Sequence, residues 1–481
     1  MLFNSFEFLV FLPVVWAAYW SLKNHLRLQN LLVVVASYVF YGWWDWRFLV
    51  LIAFTSAWSY VVGLVELRRW EARPSRALLT ISLIVNLGIL GYFKYFNFFV
   101  NSFIAFAQTC LPSSLIPHPS SLAIILPVGI SFYTFQALSY TIDVYRRNIR
   151  PTRDPFAFFA FISFFPQLVA GPIERATNLL PQFLREKEFS YPNAVFGCRQ
   201  MLWGFFQKMV VADNCAVAAN FLLNDPKMDN ACGILLGIAL FALQVYGDFC
   251  GYSNIAIGCS RLFGISLRLN FAYPFFSRTV GEFWTRWHMS LMQWFRDYLY
   301  IPMGGGRCGT LRKGFNILVV FAVSGLWHGA DWTFVLWGVV TALLFLPGIL
   351  FFRREKFAGI VAADRALPRP LEVLCMLRTF AVFLVGLLVF RAQSVSESIR
   401  WFSDVLSPSA YGLLGELPHE ARVAGPMVAL LIACEWLNRR EPFGFARYPR
   451  NLVLRWAIYF FIALLVLLYS PGSQTFVYFQ F

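Results

Sequence analysis

Charge is scarce in this sequence. Asp, Glu, Lys and Arg make up 14% of its 481 residues, against about 25% in an ordinary soluble domain. With 59% hydrophobic and 19% aromatic residues, the chain has too little polar surface to cover a water-soluble globule. That excludes a soluble fold and leaves the lipid bilayer as its solvent. Metal-ligand spacing is missing too. The nine cysteines form no C-x-x-C pair, so neither a disulfide framework nor a metal site is expected. Cys110, Cys215 and Cys375 fall in or beside apolar runs, where cysteine behaves as a small hydrophobe. There is no phosphate-binding G-x-x-x-x-G-K-[ST] loop, no dinucleotide fingerprint and no serine on a nucleophile elbow. Net charge is +15, yet no basic face with interleaved aromatics is present, so nucleic acid is excluded as a partner.

Long apolar runs take the place of these features. They cover residues 3–22, 28–44, 48–65, 77–93 and 122–145, and later 194–211, 231–249, 315–327, 332–352, 371–390, 423–437 and a last run ending near Tyr469. About 11–12 transmembrane helices are therefore expected. The first run lacks a basic n-region and a small-residue cleavage site, so it is expected to be a retained helix. Lys and Arg cluster in alternate loops, as at Lys23 and Arg27, Arg68–Arg76, Arg146–Arg153, Arg353–Arg369 and Arg439–Arg450. The stretch 112–121 and the tail beyond Ser470 carry neither. The positive-inside rule then puts both termini outside the cytoplasm. Gly, Pro and polar residues interrupt 156–172 and 248–270, which predicts re-entrant backbone there. A single domain over 1–481 is expected, since no repeat or long linker is visible, with a working core at about 127–338.

Candidate chemistry lies in that core. In GEFWTRWHMSLMQWFRDYLYI (281–301), Trp284, His288, Leu291, Phe295 and Tyr298 recur every three or four residues, which predicts one amphipathic helix with His288 turned inward. In FNILVVFAVSGLWHGA (315–330), His328 ends an apolar run between Gly325 and Gly329, where missing side chains would let a ligand come close. An ionisable residue in a membrane segment is a functional candidate by default, and histidine suits a general base; a satisfied core histidine is the plain alternative for both. Asp331 either orients that ring or caps the next helix. Asp248, Asp143 and the stretch GPIER (171–175) need partners, because a buried carboxylate is expensive alone. The run MGGGRCGTLRKG (303–314) offers Arg307, Arg312 and Lys313 to phosphates, or is simply a cytoplasmic loop. Residues alone leave a proton-coupled exporter and an acyltransferase both open.

Longer motifs narrow the choice. LPVGISFYTFQALSYTIDVYR (126–146), FFPQLVAGPIERA (164–176), GDFCGYSNIAIGCSRLFGI (247–265), NFAYPF (270–275), FWTRWHMSLMQWFRDYLYIPMGG (283–305) and SGLWHGADWTFVLWG (324–338) resemble the membrane-bound O-acyltransferase family, in its bacterial branch with the membrane subunit of alginate O-acetyltransferase. The opening MLFNSFEFLVFLP, the ASYVFYGWWD stretch and the closing FVYFQF resemble it as well. The resemblance implies an all-α polytopic membrane fold, with a rim of transmembrane helices plus re-entrant and interfacial helices around a central tunnel. It implies His328 as the essential catalytic histidine and His288 as the second, with Trp287, Trp327 and Asp248 as tunnel or core candidates. The expected activity is transfer of acetyl from cytoplasmic acetyl-CoA to an extracytoplasmic polysaccharide, alginate first. Peptidoglycan, cellulose or another exopolysaccharide are the alternatives. No permanently bound cofactor is expected. A bacterial inner-membrane location and a periplasmic partner with a serine-hydrolase-like domain are also implied.

Overall fold

A computed structural model describes residues 1–110, 124–169, 171–225, 228–350, 359–417, 419–472 and 476. The uncharged stretch 112–121, the basic residues Arg353, Arg354 and Lys356, and most of the tail beyond Ser470 lie outside the described residues. The protein is a multi-pass membrane protein, and the described regular structure is all helical. In hydrocarbon a helix satisfies its own backbone, which an open strand cannot. Five helices among the described residues are long and apolar enough to cross a membrane: Trp46–Arg68, Arg76–Cys110, Ala231–Leu262, Trp332–Ile349 and Pro370–Arg391. Shorter apolar helices, such as Phe6–Ser21 and Leu26–Gly42, accompany them. The chain groups into two compact units.

The first unit comprises mainly Val10–Val169 and Ile173–Glu188. Its helix Ile130–Tyr145 starts after Gly129, whose φ of 75° belongs to the left-handed region. A side chain there would also strike the Leu168 carbonyl at 2.6 Å. The expected apolar run 77–93 is longer than its hydropathy suggested, because a π-helical turn at Gly91–Tyr95 carries the helix through Lys94 to Cys110. Asp143 accepts from Asn148 Nδ2 at 3.0 Å, and Glu174 of the GPIER stretch accepts from Asn178 Nδ2 at 2.8 Å. Both carboxylates thus have structural partners. The backbone does break between Pro155–Ser163 and Phe165–Leu168, at Phe164.

The second unit, mainly Phe189–Phe481, is built around the 32-residue helix Ala231–Leu262. This helix corrects the expectation of broken backbone over 248–270, since it runs unbroken to Leu262. Its glycines do not interrupt it; they are where another helix touches it. That neighbour runs Tyr191–Phe205, passes a π-helical turn at Phe206–Ala212 and continues as Asp213–Asn224. A Cβ on Gly197 would lie 2.6 Å from the Gly258 carbonyl oxygen, and one on Gly258 2.5 Å from that of Gly197. Seven residues along each helix, Gly204 and Gly251 repeat the arrangement at 2.6 and 2.7 Å. Seven residues are about two turns, so the pairs mark one antiparallel seam where the backbones approach as small residues allow.

Polar side chains beside the seam find partners across it and around it. Lys208 Nζ lies 2.7 Å from Asp213 Oδ1 and 2.8 Å from Asp248 Oδ1, with all three side chains at most 3% exposed. Asn254 donates to Gln207 Oε1 at 2.8 Å and accepts from Gln200 Nε2 at 3.0 Å. Glu435 Oε1 accepts from Gln207 Nε2 at 3.0 Å and from Tyr246 Oη at 2.8 Å.

The seam makes glycine substitutions position-dependent. Gly258→Ala forces a methyl group against a backbone oxygen, and overpacking of this kind costs about 1–3 kcal/mol. Gly88→Ala, in a helix with nothing within 4 Å of the new Cβ, should be neutral or stabilising by up to ~1 kcal/mol through helix propensity. The thermal unfolding temperature in detergent should fall for Gly258→Ala and hold or rise for Gly88→Ala.

Candidate functional site

Asp143 and Glu174 belong to the first unit; the two histidines, Trp287, Trp327, Asp248 and the basic candidates Arg307, Arg312 and Lys313 fall in the second. The helix Thr310–His328 ends at its histidine because Gly329 turns extended, and Trp332–Leu350 follows after a three-residue link. Asp331 Oδ1 accepts from Thr333 N at 2.8 Å and from Thr333 Oγ1 at 3.0 Å. It therefore starts the second helix, the capping alternative. The two helices form a tight hairpin. A Cβ on Gly325 would collide with the Phe334 carbonyl, and one on Gly338 with the Phe321 carbonyl. A Cβ on Gly329 would enter the Phe334 ring. The space expected to admit a ligand beside these glycines is taken by Phe334, which corrects that part of the sequence reading.

His328 is buried among aromatic rings. Trp327 lies 5.0 Å away, Trp337 stands perpendicular at 5.1 Å, and Phe390 of Pro370–Arg391 lies at 5.6 Å. His288 is brought to the same cluster by a different route. The expected single helix over 281–301 is two short helices, Val280–Arg286 and Met289–Phe295, with a π-helical turn following. Trp287 is extended, and His288 sits in the left-handed region at φ 43°. That conformation costs roughly 1–2 kcal/mol for an L side chain and persists because Asn270 over-determines it. Met289 N–H donates to the Asn270 carbonyl at 2.9 Å. The Asn270 side chain holds His288 and Ser290 as well. The three-and-four spacing read from the sequence is real, but it belongs to two helices bent around one asparagine.

The His288 ring meets Phe249 edge-on at 4.5 Å, Phe271 at 6.5 Å and Trp327 at 5.8 Å. Trp327 thus borders both imidazoles. His288 lies outside the five apolar spans; burial first, and then the nearby His328, drives its pKa well below the ordinary histidine value. The ring is neutral. Trp287 joins the rim, stacked on Phe283 at 5.4 Å and perpendicular to Phe271 at 5.2 Å.

The remaining candidates lie elsewhere. Asp248 precedes Phe249 on the long helix, but successive residues point about 100° apart, and its carboxylate goes to Lys208. Arg307 and Arg312 are exposed and Lys313 half-buried, at the opposite end of the helix that terminates in His328. At 1.5 Å per residue, Thr310 and His328 are about 27 Å apart along the axis. Arg312 lies over the Phe315 ring at 5.7 Å. Among the described residues, no group of three His, Cys, Asp or Glu side chains is placed to hold a metal ion. Lys208, Glu435 and Asn270 escaped the sequence reading. The first two had a signal, a lone charge in an apolar run; Asn270 had none beyond its place in NFAYPF.

The model of the membrane-bound O-acyltransferase family matches residues 146–366. The chain is 36% identical over 437 residues to the probable alginate O-acetylase AlgI of Pseudomonas putida, covering 90% of this chain and 85% of that one. It is 31% identical over 431 residues to the peptidoglycan O-acetyltransferase of Helicobacter pylori, covering 83% and 79%. To the teichoic acid D-alanyltransferase of Bacillus subtilis it is 27% identical over 245 residues, covering 47% and 60%.

The geometry at Asp331 sets a test of its capping role. Asp331→Ala should lower stability by about 1 kcal/mol, the usual worth of a cap, while Asp331→Asn keeps an accepting oxygen and should restore most of it. Thermal unfolding in detergent reads both.

Proposed function

The chain belongs to the membrane-bound O-acyltransferase family and is an O-acyltransferase; from that premise we propose that it moves acetyl from cytoplasmic acetyl-CoA to hydroxyl groups of an extracytoplasmic polysaccharide. The observation that carries the reading is the pair of buried imidazoles that border Trp327. Alginate is the favoured acceptor, because relatives named for alginate match at 36% identity over most of both chains. The peptidoglycan relative, at 31%, makes that polymer the second reading. The D-alanyl transferase matches about half of this chain.

In the proposed reaction His328 takes the proton of the attacking hydroxyl as its oxygen bonds to the thioester carbonyl carbon. The tetrahedral intermediate then breaks its C–S bond. Coenzyme A leaves as a thiolate, a far better leaving group than an alkoxide, and picks up the proton. His288 positions the donor or steadies the charge that develops. Arg307, Arg312 and Lys313 hold the CoA phosphates by charge-assisted hydrogen bonds. Their helix spans about 27 Å up to His328, close to the ~30 Å hydrocarbon core. A charged donor therefore engages at one end of this helix while its thioester works at the other. Because both imidazoles are buried, the reaction requires a passage that admits the acetyl end from one side and the hydroxyl from the other. The basic loops face the cytoplasm, both termini face outward, and the membrane is a bacterial inner membrane. A periplasmic partner with a serine-hydrolase-like domain receives the acetyl group or selects the polymer.

His328→Ala in the full-length protein, assayed in membranes with labelled acetyl-CoA, should lower transfer by on the order of 10²–10⁴-fold, the usual worth of a general base. Wild-type transfer by a folded His328→Ala protein overturns the assignment. Replacing Arg307, Arg312 and Lys313 together by Ala should instead raise KM for acetyl-CoA by roughly tenfold or more, since a charge-assisted hydrogen bond is worth about 1.5–3 kcal/mol. Its kcat should change little.

A further inference from the structure

The direction of one hydrogen bond fixes what His288 can offer. Its Nδ1 lies 3.1 Å from Asn270 Oδ1. The backbone N–H of Ser290, which can only donate, meets that same Asn270 atom at 3.3 Å. The atom is therefore the amide oxygen and not its nitrogen. Ser290 Oγ donates to it at 2.9 Å. At the other end of the amide, Asn270 Nδ2 donates to Ser253 Oγ on the long helix at 3.2 Å. Facing only an acceptor, Nδ1 of His288 carries the proton. A neutral imidazole protonated at Nδ1 has a lone pair at Nε2. That Nε2 is buried and has no hydrogen-bond partner among the described residues.

We infer that Asn270 is a positioning residue for the transfer reaction, holding His288 as its Nδ1–H tautomer so that Nε2 is presented to substrate as a hydrogen-bond acceptor. The inference rests on the acyl-transfer reading above and narrows it. In this tautomer neutral His288 has no proton at Nε2 to give a thioester oxygen. It accepts instead, from an amide N–H of the donor's pantetheine arm, and so holds the thioester carbonyl carbon in line with the hydroxyl, whose one proton goes to His328. Asn270 is suited to this because its amide is held at both ends, by Ser290 and by Ser253, and a flip would set its NH2 against the Ser290 backbone N–H, which can only donate. An amide partner also leaves the imidazole neutral, where a carboxylate would favour the charged form. Of the groups around His288, Phe249 of the long helix, Phe271 and Trp327 do not titrate. His328 is the titratable neighbour.

The test uses the full-length protein in detergent micelles, with acetyl-CoA as donor, an alginate oligosaccharide as acceptor and CoA thiol release as the readout. Asn270→Ala should lower kcat by roughly 10–100-fold, by analogy with metal-bound histidines that lose their orienting partner, with KM for acetyl-CoA within about twofold of wild type. Asn270→Asp keeps an oxygen for Ser290 and His288 but adds a charge that favours imidazolium. The acid limb of its kcat–pH profile should therefore move to higher pH by about one unit or more. A purely structural asparagine would change thermal stability and leave that limb in place. An Asn270→Asp profile superimposed on the wild-type one overturns the inference, as does wild-type kcat in Asn270→Ala. If Asn270→Ala does not fold, the Asn270→Asp profile decides alone. Absence of CoA release from the wild-type protein would count against the acyl-transfer reading itself, a separate failure.

Discussion

One backbone-to-backbone contact sets the rest of the second unit in place. Gly197 and Gly204 on one helix meet Gly258 and Gly251 on the other so closely that a methyl group would touch a carbonyl oxygen at either pair. In lipid no hydrophobic force favours one apolar helix over a hydrocarbon tail, so association depends on packing and on bonds made once the backbones are close. The seam provides the first and permits the second. With the helices at this distance, short side chains such as Asn254 span the gap to Gln200 and Gln207. Lys208 comes within 2.8 Å of Asp248. The same long helix then supplies Phe249 to the His288 cage and Ser253 to the Asn270 amide. Shifting it would alter the ion pairs, the amide network and the histidine support together.

The polar residues of this core follow from that placement. A lone charge in a low-dielectric interior is costly, and removing one partner of a buried pair leaves that cost exposed. Lys208 has two carboxylates within hydrogen-bond distance, and Glu435 receives two donors on a single oxygen. Such networks also define the register between helices, because a slide by one residue would break several bonds at once.

Much of this architecture was legible in the sequence, and the limits are instructive. Apolar runs announced a membrane protein because hydropathy is a local property. His328 was legible as an ionisable residue at the end of such a run, and Asp331 was readable as a cap. What the sequence obscured depended on contact between distant segments. Gly251 and Gly258 suggested a broken helix when read along the chain, yet across it they are the surface that Tyr191–Phe205 packs on. The 281–301 segment has a sound helical period, and nothing local shows that Asn270, eighteen residues before His288, captures the backbone and bends it. Gly325 and Gly329 promised room beside His328; the Phe334 backbone and ring occupy it.

The same contacts explain why this cluster differs from a serine–histidine–acid arrangement. The carboxylates of the unit that come near it in sequence or space are committed: Asp331 caps a helix, Asp248 pairs with Lys208, and Glu435 binds Gln207 and Tyr246. An amide orients His288 instead. Two imidazoles bordering one indole ring in an apolar cage cannot both be charged cheaply, since like charges at short range in low dielectric repel strongly. At least one of the two stays neutral. Neutral imidazoles are modest bases, which is sufficient where the bond to be broken is a thioester. With the thioester proposed as donor, the thiol that leaves is far more acidic than the alcohol that attacks and needs little protonation, so the demand on the protein shifts from proton-transfer strength to holding a hydroxyl and an acyl carbon in line.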